Sequence, residues 1–171
     1  QTDGKIAANG DLTLGGNATV KGDVEAANIA AGANTLTVDG ADVDVTGNIA
    51  AGTLDVDAGT VDAATVAANV VQDGGTMTVT DTLTGNVTQN DGTLSAANEI
   101  KGNVEQVKGE ITTAEIDGTL TQSADGVVTT KEVTGTATVA GTVNGDGGLA
   151  FGSTLEQTDG KIAANGDLTL G

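Results

Sequence analysis

Cysteine, histidine, arginine, proline, tryptophan and tyrosine are all missing from these 171 residues, and there is one phenylalanine, Phe151, and one methionine, Met77. Each absence removes a class of behaviour. Without His or Cys there is no ordinary acid/base pair, thiol nucleophile or zinc site, and without Arg there is no bidentate clamp for phosphate or carboxylate. An enzyme is therefore not expected. With almost no aromatics, no core can be built around large rings. Basic residues are scarce as well: six lysines against 24 acids give a net charge of −18, which excludes the basic stripe of a nucleic-acid binder. No run approaches the roughly 20 apolar residues that cross a bilayer, so this segment is not expected to insert in a membrane. No basic, apolar leader opens the chain, and Gln1 in place of an initiator Met points to an excerpt or a mature product. The lack of cysteine leaves the redox compartment unmarked.

What remains is glycine, 27 of them, with Val, Ala, Thr, Asp and Asn in recurring phrases. The first fifteen residues, QTDGKIAANGDLTLG, return unchanged as residues 157–171, a period of 156. The simplest account is one continuous segment, 1–171, that spans a whole repeat unit and the start of the next. A shorter, imperfect period lies inside. Segments opening on Leu12, Leu36, Leu54, Met77, Leu94, Ile111, Val128 and Leu149 run 17 to 24 residues each and restart at Leu168. That spacing predicts eight turns per unit. Residues 77–93 align without a gap on 94–110, placing Leu83 over Ile100, Asn86 over Asn103 and Val87 over Val104. The phrase apolar-x-Gly-polar-apolar recurs as VKGDV, VTGNI, LTGNV, IKGNV, IDGTL and VAGTV.

Short alternating runs such as LTV, LDV, MTV and LAF are strand patterns, because successive side chains point to opposite faces. An Ala-rich helical reading of DAATVAANVV fails on its repeated Val and Thr, its nearby glycines and its lack of three-and-four spacing. Disorder fits the charge but not the regular Val, Ile and Leu columns. Ala-Ala-Asn and Ala-Ala-Gly tripeptides between the runs predict corners whose third residue takes positive φ, which Asn and Gly tolerate best.

Strands, glycine corners and a turn near twenty residues describe an all-β chain: a parallel β-solenoid, right-handed by the usual connection rule, with three unequal faces. Missing proline agrees, since each turn needs its ladder donors. Parallel stacking at about 4.8 Å gives roughly 38 Å for eight turns. The expected interior comprises Leu12, Leu36, Leu54, Met77, Val87, Leu94, Ile100, Val104, Ile111, Ile116, Val128 and Leu149, joined by Val20, Val45, Leu83 and Val133. The LxV, GNV and NDGTL phrases resemble those of the long repetitive β-solenoid surface proteins of bacteria and archaea: filamentous-haemagglutinin-like adhesins, autotransporter stalks and repeat-built surface filaments. The resemblance implies a rigid, extended element outside the cell or on its surface that adheres, spaces or sheathes, with no catalytic residues to carry over.

Four aspartates are candidate calcium ligands. With Leu36 and Leu54 opening adjacent turns, Asp39 stacks on Asp57 and Asp44 on Asp62, and a cation between such like charges would relieve their repulsion. The calcium-binding nonapeptide of RTX solenoids is absent, and hydrated carboxylates explain the same residues without any cofactor. Thr13, Thr37, Asp55, Thr78, Ser95, Thr112, Thr129 and Ala150 follow the opening positions and predict one outward, mostly hydroxyl column. A β-branched ladder explains it more simply than ice binding. Asn86 and Asn103 are the candidate structural ladder, amide over amide. Asn17 and Asn86 begin glycosylation sequons. Carboxylates on adjacent turns could in principle form a glycosidase pair, but the usual His, Arg and aromatic helpers are missing.

The functional expectation is a structural extracellular protein, one unit of a long β-solenoid rod, filament or sheath. Its partners would be identical units end to end, with lateral bundling of rods. The alternative is a calcium-dependent or glycan-directed adhesin whose corner insertions near 25–35, 62–75 and 139–148 carry the contacts.

Overall fold

The computed structural model describes residues 4–171. Most of its strands are short and follow the alternation, Val87–Gln89, for example, reading buried, half-buried, buried, while elsewhere the ladder continues around corners, as through Thr35–Gln72. Every strand pairing is parallel, joining residues 15 to 20 apart. Among the described residues there is no helix, so none is long and apolar enough to cross a membrane. The chain is a parallel β-solenoid with three faces. In one coil, Met77 lies inward on the first face, Leu83 on the second and Val87 on the third. These three are six and four residues apart, and seven more lead to Leu94, the next first-face residue.

The first face carries ten stacked coils, from Ile6 through Val24, Val43, Val61, Met77, Leu94, Ile111, Val128 and Val143 to Ile162. The step from Val43 to Val61 is fixed by Thr60, whose hydroxyl reaches Asp42 one coil below. Ile162 is the 156-residue repeat of Ile6. A unit therefore contains nine steps, not eight, and advances the axis by about 43 Å at about 4.8 Å per step. The expected count was low because the openings came from different faces. Leu12 and Leu149 lie on the second face, Leu36 and Leu54 on the third, and Met77, Leu94, Ile111 and Val128 on the first. Small residues such as Val61 and Ala63 occupy equivalent inward positions, so following Leu and Ile skips a coil.

The core is one column-built cluster of Val, Leu, Ile and Ala. Leu36, Leu54, Met77, Val87, Leu94, Ile100, Val104, Ile111, Ile116, Val128 and Leu149 are buried within it, as are Val20, Val45, Leu83 and Val133. Leu12 is half-buried, because its coil has a neighbour on one side only. Corners meet the tripeptide expectation in part. Among the described residues none but glycine has positive φ, so Asn9, Asn28, Asn69 and Asn98 are not left-handed, whereas Gly32, which ends Ala30-Ala31-Gly32, is. Left-handed corners also fall on a glycine column, Gly59, Gly75, Gly92 and Gly109, between the third and first faces. There a Cβ would strike the backbone of the coil beneath as well as demand a strained φ.

Candidate functional site

Two polar ladders run along the axis, and the larger one is inside. On the inward side of the third face, Val38 and Val56 give way to Gln72, Gln89, Gln106 and Gln122, all within 3% of complete burial. A buried amide must find partners for both ends. Gln89 Nε2 donates to Gln72 Oε1 at 3.2 Å, Gln106 to Gln89 at 2.8 Å and Gln122 to Gln106 at 3.0 Å. The same nitrogens donate to corner and ladder carbonyls, in Gln106 to those of Gly109 and Val127. Val139 holds the next position, so Gln122 Oε1 is left without a partner. Sequence reasoning missed this ladder. Its signal is present as glutamine 17, 17 and 16 residues apart, each two places after a Val or Leu: VVQ, VTQ, VEQ, LTQ.

Asn86 and Asn103 stack in register at the corner before the third face, with Asn69 beneath. The bonding differs from amide over amide. Each Asn Oδ1 accepts the backbone N–H of the residue above: Asn86 N–H to Asn69 at 3.1 Å, Asn103 N–H to Asn86 at 3.0 Å and Thr119 N–H to Asn103 at 3.0 Å. The side chain thus supplies an acceptor where the corner breaks the backbone ladder.

Asp39, Asp57 and Asp73 occupy one outward column on the third face, closed below by the Lys21–Asp39 ion pair and above by Asn90, whose Nδ2 donates to Asp73 Oδ1 at 2.6 Å. Asp55 leans toward it. Carboxylate oxygens of Asp55, Asp57 and Asp73 lie within 4.8 Å of one another, an all-oxygen set of the kind that suits a hard divalent cation. Burial first, then the charges of Asp57 and Asp73, push the Asp55 carboxyl above its ordinary range, against the Thr37 hydroxyl, which lowers it. Asp44 and Asp62 stack separately, on the first face, beneath Thr78. Of the four aspartates expected from sequence, only Asp57 is in the tight group; Asp55 and Asp73 complete it. Asp73 was hidden because it follows Gln72 at a corner rather than a strand opening.

The expected hydroxyl column divides among the faces. Thr78, Ser95, Thr112 and Thr129 stack continuously on the first face, whereas Thr37 and Asp55 belong to the third and Thr13 and Ala150 to the second. No family model, curated protein or solved structure matches this chain. The geometry itself therefore carries the functional reading. On the second face Glu99, Glu115 and Glu132 also stack in register, and burial, then Glu132 and Glu99, raise the Glu115 carboxyl. Lys101 pairs with Glu99 at 3.2 Å and Lys108 with Asp91 at 2.7 Å.

Proposed function

We propose that the chain is a structural element, one unit of a long β-solenoid rod outside the cell or on its surface, in the manner of repeat-built surface filaments and stalks. One observation supports this most directly: the two copies of the repeated segment use opposite edges. In the first copy Ile6, Ala8 and Leu14 donate their N–H groups to Asp23, Glu25 and Ala30 of the following coil. In the second copy Lys161, Asn165 and Gly171, equivalent to positions 5, 9 and 15, donate to Gly141, Gly145 and Phe151 of the preceding coil. Alternate amides of a parallel strand serve opposite neighbours, so one copy can hold both coils at once. Units can then follow one another with the ladder unbroken.

Nearest-neighbour stacking makes the stability of such a rod climb with copy number before levelling off. Proteins of one, two and four units should show rising denaturant midpoints, and electron micrographs should show unbranched rods lengthening by about 43 Å per unit. A single unit as stable as four, or particles that widen rather than lengthen, would overturn the reading.

A further inference from the structure

The two Asn-x-Thr sequons, residues 17–19 and 86–88, fall at one corner of the solenoid, where the second face turns into the third. We propose that Asn86 and Asn17 carry N-linked glycans, which line that single edge. This deepens the rod reading and rests on its placing of the chain outside the cell, where such sugars are borne.

Asparagines in this fold differ in which end of the side chain the coils use, and a glycan attaches through Nδ2. Asn28, Asn34, Asn90 and Asn98 donate Nδ2 to Asp11, the Ala31 carbonyl, Asp73 and Asp81, so a sugar there competes with a bond the fold already makes. Asn86 is the reverse. Its Oδ1 accepts the Asn103 N–H at 3.0 Å, which leaves Nδ2 outside the ladder. Asn17 Oδ1 accepts the Thr35 N–H at 3.0 Å in the same way. Asn86 is exposed although a coil is paired on either side of it, and Thr88 faces outward two places on. Beside them runs an open groove of about 290 Å³ edged by Asn103, Glu105 and Thr121, whose amide, carboxylate and hydroxyl groups can bond the hydroxyls of a first sugar ring.

Transfer makes one bond and breaks one. Asn86 Nδ2 gives up a proton and bonds to C1 of a sugar, while the bond from C1 to its lipid pyrophosphate donor breaks and the pyrophosphate leaves, under a transferase of the secretory membrane. Oδ1 remains a carbonyl oxygen, so the Asn103 N–H keeps its acceptor. Asn69 and Asn103 stand at the same corner and use Oδ1 alike, but Val71 and Glu105 take the place of the required Thr. Four ladder steps, by way of Thr35, Thr53 and Asn69, separate Asn17 from Asn86. Five more complete the nine-step unit, so sugars recur about 19 and about 24 Å apart along the rod. The first face, across the triangular section, stays bare.

The test secretes the whole chain from a eukaryotic host that uses the lipid pyrophosphate donor, and maps modified asparagines by intact mass and peptide mass before and after peptide N-glycosidase. Sugars are expected on Asn17 and Asn86. Thr88→Ala should remove the second, and Glu105→Thr should add a third on Asn103. Melting points of these chains should lie within about 2 °C of the same chains made without sugar in bacteria. Ala30→Thr supplies the contrast, because it completes a sequon at Asn28, whose Nδ2 is held by Asp11 at 2.7 Å and whose Oδ1 lies under Gly47. Asn28 should stay unmodified or, once modified, lower the melting point by more than about 3 °C. Secreted, folded chains with no sugar on Asn86, or a glycan on Asn28 carried as easily as one on Asn86, overturn the proposal. The copy-number series made in bacteria carries no sugar, so the rod reading stands or falls separately.

Discussion

Replacing Gln89 with leucine interrupts the interior amide ladder while keeping side-chain volume nearly constant. The substitution strands Gln72 Oε1, a buried acceptor whose partner in the ladder is Gln89 Nε2, and an unsatisfied buried carbonyl costs about 1–3 kcal/mol. Gln106 Nε2 loses one acceptor but keeps the carbonyls of Gly109 and Val127. Burial of the leucine returns part of the loss, so the net cost is about 0.5–2 kcal/mol, or a melting point lower by about 1–8 °C for a chain of this size. Gln122→Leu is the informative comparison. It strands Gln106 Oε1 but deletes the Gln122 oxygen that already lacks a partner, leaving a cost of about 0–1 kcal/mol. Val139→Gln should stabilise by about 1 kcal/mol, because the new amide lies between Gln122 and Gln157 in register. Thermal and urea unfolding followed by circular dichroism would rank the three. Equal losses from Gln89→Leu and Gln122→Leu would show that the ladder acts only by filling space.

A charge in the core should be far costlier: Val87→Asp or Val104→Asp, at positions 1% exposed, should lower stability by about 3–5 kcal/mol, whereas Val107→Asp, 44% exposed, should change it by less than about 0.5 kcal/mol; similar urea midpoints would mean the faces are misassigned. Asn90→Asp, although at an outward corner, should destabilise, because it would set a carboxylate against Asp73. The raised carboxyls of Asp55 and Glu115 stabilise the fold only when protonated; that contribution is complete below their unfolded pKa values and is lost as pH rises through the folded ones. Asp91, held down first by its hydrogen bond from Lys108, acts in the opposite sense, with stability present above its unfolded pKa and lost on acidification. Melting points should therefore rise as acidification carries the pH down through the folded Asp55 and Glu115 values toward the ordinary carboxylate range. Asp55→Asn should raise the pH 7 value by about 1–3 °C and flatten that rise; an unchanged profile would remove Asp55 from the account. Millimolar calcium should relieve the same repulsion and raise the melting point, with Asp57→Asn shrinking the gain; identical curves with calcium and with chelator would leave hydrated carboxylates only.

The solenoid was legible because strand alternation is a period-two signal that survives poor spacing, and the gapless alignment of 77–93 on 94–110 placed Leu83 on Ile100, Asn86 on Asn103 and Val87 on Val104 correctly. Counting coils was harder. Leu and Ile mark some inward positions and Val and Ala others, so Leu12 and Leu36 look like successive openings although they lie on different faces. The glutamine ladder escaped because a polar residue in an alternating run is ordinarily outward. Gln72 and Gln89 reveal themselves only when copies are aligned and the same polar residue keeps returning to an inward slot. The Asp55, Asp57 and Asp73 group required one ladder step and a corner to be placed together, and the local motif around Leu54 contains only its first two members.

All pairings run parallel, and alternate amides face opposite neighbours along the whole axis. A stack of this kind has a direction: one end presents different groups from the other. If units join end to end as proposed, the contacts are heterologous and close into a ring only if successive rotations bring the chain back on itself. The proposed rod would then grow with one polarity and hold no internal count, so a defined length would be written elsewhere, in the number of encoded units or in a terminal coil that refuses a neighbour.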